Sequence, residues 1–387
     1  MSAPVVQAIV IGGGLSGVAA AVAVARTGLE TVHLAPPAPP DRRTSALMMP
    51  SVDYLQSAGL IDAPEALGHA LSQIRIIDST PRLIRAPETL FDSRDAGIPA
   101  FGWNFANAPL LERFHASAMA LPNLSIRPVG ATALVRDGND WVVSLADGSS
   151  VRAPFVVGAD GKKSMARAAA GLRATERQFE QSALVCDLDL GRPVGGTSIE
   201  FHYPKGPFTL VPAGGNRANL VWIDDADVLA AAQASGPDGL IARFAEKSQR
   251  LFGSITLASP SVVFPLGVLS VDRAGANGIV LAGESAHAFP PIGAQGLNLG
   301  LRDVADVARA LAGVDRSRPD WAIAASVDYA KRRAADLART GGMVDTLFRS
   351  LLADMIPAQA LRAGGLWALK LAPALRKQAF ALGMGLR

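Results

Sequence analysis

Apolar residues from Val5 to Ile11 run into three consecutive glycines, an Ala/Val-rich stretch from about Leu15 to Thr27 keeps helical spacing, and a second apolar run follows at Thr31 to Leu34. Short unbroken apolar runs either side of a longer helical one predict a βαβ unit. Pro36 to Pro40 is a proline-rich loop, and Thr44 to Gly59 resumes helical spacing before a turn. From about Leu71 to Phe105 the pattern is strand-like, with Ile74, Ile76, Leu83, Ile84 and Phe91 between polar and proline punctuation. A helix carrying Leu110, Leu111, Phe114 and Met119 comes next. Strands are predicted around Ser125 to Val129, Thr132 to Arg136 and Trp141 to Leu145, as a meander ending at the Asp147-Gly148 turn, and another at Phe155 to Gly158.

Between Ser182 and Leu266 strand signals and turn residues dominate, broken by one helix from about Asp225 to Phe252, which predicts a separate mixed sheet. A strand at Gly278 to Ala282, a glycine-rich turn and a long helix from about Asn298 to Leu311 return the chain to its first domain. Trp321 to Arg387 reads as helical, with breaks at Gly341-Gly342, Pro357, Gly364-Gly365 and Pro373. No internal repeat is visible.

With 387 residues, 49% hydrophobic and 18% charged, the chain can bury two packed cores. A single cysteine, Cys186, forbids an intrachain disulfide framework, and the histidines (His33, His69, His115, His202, His287) are too scattered for a metal cage. The expected home is a reducing cytoplasm. No apolar run reaches the roughly 18 to 20 residues that span a bilayer. The opening MSAPVVQAIVIGGG lacks a basic leader and is not expected to be a cleaved signal. A net charge of +3 without basic runs interleaved with aromatics gives nucleic acid no support as a partner.

Gly12-Gly13-Gly14-Leu15-Ser16-Gly17 satisfies G-x-G-x-x-G directly between a strand and a helix. The first glycine permits the tight turn, the second lets a pyrophosphate reach the backbone, and the third allows close helix-sheet packing. The acidic ribose ligand expected after the second strand is missing, since that position reads His33-Leu34-Ala35-Pro36 and Ala35 has no acceptor. Other groups are expected to hold the ribose.

Gly278-Ile-Val-Leu-Ala-Gly-Glu284-Ser-Ala-His287, followed by Phe-Pro290-Pro291-Ile-Gly293-Ala-Gln295-Gly296-Leu297-Asn298-Leu-Gly-Leu-Arg-Asp303, resembles the G-D-x-A-H-x-x-x-P-x-x-G-x-G-x-N motif of single-component flavoprotein aromatic hydroxylases. That resemblance implies an α/β fold: a Rossmann-type FAD-binding domain of the para-hydroxybenzoate hydroxylase kind, an inserted mixed β-sheet substrate domain and a C-terminal helical segment. The expected boundaries are 1–70, 100–180 and 268–340 for the FAD domain, 71–99 and 181–267 for the substrate sheet, and 341–387 for the tail. A carboxylate at a strand end can accept from the ribitol, and a glycine-rich loop opening a helix can aim N–H groups at the flavin N1–C2=O edge. Glu284 stands where the family has aspartate. His287 is either a lining group of the flavin site or a local structural hydrogen-bonding residue.

Asp160-Gly161-Lys-Lys-Ser164-Met-Ala-Arg167 resembles the family's D-G-x-x-S-x-x-R motif near the cofactor, which is implicated in pyridine nucleotide use; its plain reading is a capped strand-to-helix corner. Arg43 resembles an arginine that reaches the cofactor, and Asn107 a polar residue on the ribitol. No second strand-GxGxxG-helix unit exists, so NAD(P)H is expected to bind transiently.

Asp41-Arg-Arg-Thr-Ser-Ala-Leu47, Tyr203-Pro-Lys-Gly-Pro207 with Leu220-Val-Trp222, the Pro291 to Asp303 string and the Gly383-Met-Gly385 end are similar to ubiquinone-biosynthesis hydroxylases of the UbiH/UbiF/VisC type. The resemblance covers essentially the whole chain and implies ring hydroxylation of a polyprenylated phenol, with FAD reduced by NAD(P)H and O2 captured as a C4a-hydroperoxide. Pro290 and Pro291 are expected beside flavin and substrate, and His202, Tyr203, Phe208 and Trp222 on a substrate-facing strand face. No acid-base residue stands out. From Met355 to Arg387 five basic residues, no acidic ones and several large apolar ones make a segment that either rests on an anionic inner-membrane surface or packs on the flavin domain. A hydroxylase of a small soluble aromatic, a geranylgeranyl-reductase-like enzyme and a non-catalytic FAD-bound scaffold of a biosynthetic complex remain the alternatives.

Overall fold

In a computed structural model of the chain, residues 4–81, 85–291 and 293–352 are described. Six strands form the first sheet, in the order Gly275–Ala276, Ile279–Leu281, Phe155–Gly158, Ala8–Ile11, Thr31–Leu34 and Leu124–Arg127. All neighbours are parallel except the short Gly275–Ala276 edge. Ala8–Ile11, Thr31–Leu34 and Phe155–Gly158 are buried along their whole length, which is why they read as unbroken apolar runs rather than alternating ones. Gly12, Ala159 and Gly283 follow the carboxyl ends of neighbouring strands or lie just beyond them. That edge is where open α/β sheets hold their ligands.

Glycine is obligatory at two of these points. Gly12 has φ +129°, and a Cβ on it would lie 2.0 Å from the Ala159 carbonyl oxygen; one on Gly17 would lie 2.0 Å from the Gly12 oxygen. His33, wholly buried on the second strand, places its Nε2 2.8 Å from that same Gly12 oxygen.

The structure departs from the sequence-based elements in four places. Thr44–Met48 is a strand, paired antiparallel with Gly102–Ala106, and the helix starts only at Met49 with Pro50 in its first turn. Leu124–Arg127 joins the parallel sheet beside Thr31–Leu34, so the meander consists of Ala131–Asp137, Asp140–Leu145 and Ser150–Ala153. Two helices, Ala226–Ala234 and Gly236–Lys247, replace the single one, because Gly236 at φ +73° and Pro237 interrupt it. Helix Trp321–Leu352 runs unbroken through Gly341-Gly342. The predicted breaks at Pro357, Gly364-Gly365 and Pro373, and the basic segment 355–387, lie outside the described residues.

The inserted sheet centres on the 17-residue strand Ala174–Leu190. Leu184, Leu188, Phe201, Phe208, Leu220 and Trp222 pack one of its faces against Leu229 and Phe244 of the two helices. Alternation puts Ala183, Val221, Ile223 and, on the next strands, Ile74 and Ile76 on the opposite face. That inner face turns toward the small sheet of Thr44–Met48, Gly102–Ala106 and Gly68–Leu71, where Met48 and Phe101 meet Ile74 and Ile76. Asn104 pins the two sheets together: its Nδ2 donates to the Pro212 oxygen at 2.8 Å and to Asn219 Oδ1 at 2.6 Å.

Candidate flavin and substrate site

Gly14 caps helix Leu15–Arg26 with φ −80°, is exposed, and would present a Cβ to open space, with no atom within 4 Å. The helix start is therefore bare where its free N–H groups point, as a pyrophosphate needs. Ser16 has a packing role. Its Oγ lies 2.9 Å from where a Gly283 Cβ would be and 2.7 Å from a Gly300 Cβ, so it joins the N-terminal turn to the distant one.

That distant turn begins at Gly283, φ +63°. Ser285 donates its hydroxyl to the Gly158 oxygen at 2.5 Å and the Ala282 oxygen at 2.8 Å, and its own carbonyl accepts from Arg167 Nη1 at 2.9 Å. His287, 2% exposed, holds its Nε2 2.6 Å from Asp303 Oδ2 and stacks its ring on Phe289 at 6.0 Å. Of the two roles weighed for His287, these contacts fit the structural one. Glu284 alone points outward, exposed and without a hydrogen bond or ion pair among the described residues. Its charge is felt across the site by Arg43, whose guanidinium is raised above its ordinary value chiefly by Asp41 and further by Glu284.

Asp41 organises the facing loop. Its carboxylate accepts from Arg43 Nε at 2.8 Å and Nη2 at 2.9 Å, and from Asn107 Nδ2 at 2.8 Å, while Asn107 Oδ1 takes the Ser45 hydroxyl at 2.7 Å. Burial pushes the Asp41 carboxyl up, but the bonds from Arg43 and Asn107 outweigh it and hold the group below its usual value. Both side chains expected on the cofactor are thus oriented by a carboxylate that the motif reading passed over, two positions before Arg43.

Asn298 does not spend its amide on a ligand. Oδ1 accepts from the Met48 N–H at 2.9 Å, and Nδ2 donates to the Ala46 oxygen at 2.9 Å and the Ala294 oxygen at 2.5 Å. This clamp sets strand Thr44–Met48 against the start of helix Gln295–Ala312. Just before that helix Gly293 and Ala294 are both left-handed, φ +65° and +53°. For alanine that conformation costs about 1–2 kcal/mol, and strain of this sort gathers at ligand sites. Gln295 Nε2 donates to the Gly293 oxygen at 2.9 Å, Gly296 faces open space, and Leu297 packs on the main core. Pro290 is buried and Pro291 exposed at the same rim.

Asp160 is a helix cap: it accepts the Ser164 hydroxyl at 2.5 Å and the Met165 and Ala166 N–H groups at 2.7 and 3.1 Å, with Gly161 left-handed beside it. Both its oxygens are committed.

Three of the four residues expected on the substrate lie elsewhere. Phe208 and Trp222 are 0% and 1% exposed beneath the helices, and Tyr203 faces the same side, its hydroxyl donating to the Lys247 oxygen at 2.8 Å. Strand alternation is the reason: Tyr203, Phe208 and Trp222 share the parity of Phe201 and Leu220, whose side chains pack under the helices. His202 is on the inner face, its Nε2 3.2 Å from Glu200 Oε2. Trp222→Ala should therefore cost about 3–5 kcal/mol of stability and leave KM for an aromatic substrate unchanged; denaturant unfolding and steady-state kinetics check the two halves.

A family model described as FAD binding domain matches residues 5–340. The chain belongs to that family. The ubiquinone hydroxylase UbiL of Rhodospirillum rubrum is 28% identical over 375 residues, covering 95% of this chain and 86% of the relative. The 3-demethoxyubiquinol 3-hydroxylase of Escherichia coli is 28% identical over 388 residues, covering 97% and 98%. Among solved structures, p-nitrophenol 4-monooxygenase PnpA of Pseudomonas putida superposes with a TM-score of 0.78 at 18% identity, covering 99% of this chain and all of that one. The protein is an FAD-dependent oxidoreductase with the flavin-monooxygenase fold, as the motifs implied. Its residues fit the cofactor, with a bare helix start at Gly14, an outward carboxylate at Glu284 and a left-handed turn at Gly293-Ala294. No helix among the described residues is long and apolar enough to cross a membrane.

Proposed function

We propose that this protein hydroxylates the aromatic ring of a polyprenylated phenol in ubiquinone biosynthesis, using NAD(P)H and O2. One observation carries the choice of a neutral, lipid-like ring over an aromatic acid: the inner face of the sheet offers Ile74, Ile76, Val221 and Ile223, which suit an apolar ring and tail and would leave a carboxylate without a partner. The two curated relatives named above, one a ubiquinone hydroxylase and the other a demethoxyubiquinol hydroxylase, favour the same reading.

Bound FAD would supply electron transfer from NAD(P)H and activation of O2. The chain would bind its phosphates at the Gly14 helix start, its ribityl side at Glu284 and the Asp41-held Arg43 and Asn107, and its ring edge at the N–H groups after Gly293. The inner sheet face and Pro290 and Pro291 would exclude water and orient the phenol. NAD(P)H oxidation and O2 uptake by the flavin-loaded protein should rise when a prenylphenol is added. A rise with a small aromatic acid instead, or none with any ring, would reject this function, and quinone profiling of a deletion strain would name the ring position.

A further inference from the structure

Asp303 lies on helix Gln295–Ala312 and is 0% exposed. Its Oδ2 accepts from the Gly283 N–H at 2.9 Å and sits 2.6 Å from His287 Nε2. One oxygen atom thus joins the first and last residues of the Gly283 to His287 turn. Its other oxygen is 2.7 Å from Nε of Arg333, a fully buried residue of helix Trp321–Leu352 that also reaches Asp306 at 3.0 Å and Asp336 at 2.8 Å. Charge balance alone explains why Asp303 meets Arg333. It does not explain why the second oxygen closes a turn. Ser285 and Arg167 tie down the middle of that turn, so the Glu284 side chain is its one outward group.

We propose that Asp303 is a positioning residue: it fixes the Gly283 to His287 turn in the shape that aims Glu284 at the cofactor's ribityl side, with Arg333 as its countercharge. This rests on the reading of Glu284 as a cofactor ligand. Replacing Asp303 alone would take from the buried Arg333 one of its three carboxylates and unbalance the cluster's charge, so the test uses pairs that leave the net charge unchanged. Asp303→Asn/Arg333→Met keeps an acceptor for Gly283 and His287; Asp303→Leu/Arg333→Met removes it. Apolar replacement of a buried ion pair is commonly tolerated.

FAD is titrated into each apoprotein by flavin fluorescence, with melting curves to confirm folding. The Asn pair should bind FAD much as the parent does and the Leu pair about tenfold more weakly, the equivalent of one lost hydrogen bond. Glu284→Ala should weaken binding in the parent and the Asn pair and have no further effect in the Leu pair. Equal affinity of the two pairs overturns the proposal. An unchanged affinity in Glu284→Ala alone overturns it differently, by removing the group being aimed. If the Leu pair does not fold, His287→Phe decides: the ring can still stack on Phe289, and unchanged FAD affinity would overturn the proposal, whereas a several-fold loss supports it.

Discussion

Gly14→Val is expected to fold, to melt like the flavin-free parent and to be purified almost free of flavin. The reasoning turns on how unlike the three motif glycines are. A side chain on Gly12 or Gly17 would strike backbone oxygens 2.0 Å away, so substitution there damages the fold itself. Gly14 has an ordinary negative φ and nothing within 4 Å of its missing Cβ, so the fold has no use for glycine at this point. A branched side chain would stand over the helix start, where the phosphates need direct access to N–H groups. Losing that contact should cut FAD affinity by about 100-fold or more, on the order of 3 kcal/mol. The flavin-to-protein absorbance ratio and a melting curve read both halves. A variant that keeps its flavin would show that the pyrophosphate lies elsewhere.

Arg333→Leu should be the most destabilising single change in the helical half, by about 3–5 kcal/mol, and its cost should shrink in acid. Arg333 serves Asp303, Asp306 and Asp336 at once. Burial pushes Asp303 up, but His287 and Arg333 outweigh it; burial likewise pushes Asp336 up, and Arg302 and Arg333 outweigh it, so both carboxyls sit below their ordinary value. Groups lowered by folding stabilise above their unfolded-state pKa, near 3.9, and that stability is lost as pH falls through the folded value. Without Arg333 both carboxyls lose one of the charges that lower them and move upward, so the variant's penalty is full where both are ionised and shrinks as pH falls through the carboxylate range. The melting-temperature gap to the parent should be widest near neutral pH and narrow as the solution is acidified. A gap that is constant, or widest in acid, would refute this account.

The parallel sheet and the two glycine turns were legible because each depends on local signals, unbroken apolar runs and glycines where a Cβ cannot fit, although the helix expected from Asn298 opens one turn earlier at Gln295. What stayed hidden depends on pairing across the chain. Thr44–Met48 has helical spacing and becomes a strand only because Gly102–Ala106 is there to receive it. Phe208 and Trp222 carry no mark of which sheet face they occupy until helices Ala226–Ala234 and Gly236–Lys247 choose one. Asp41 and Asp303 were quoted within motif strings, yet their roles follow from partners 66 and 16 to 30 positions away. Asn298, expected among the cofactor-binding residues, grips the protein's own backbone at Ala46 and Met48, partners that no local motif names.

The Asn298 clamp has a consequence for the life of the nascent chain. Its partners at Ala46 and Met48 are separated from it by 252 and 250 residues, so the whole stretch from Ala46 to Asn298 must leave the ribosome before strand Thr44–Met48 can lock against helix Gln295–Ala312. A truncated product ending before residue 298 would carry an intact nucleotide fingerprint and lack the clamp that holds strand Thr44–Met48 in place, a long-range contact that can form only late in folding.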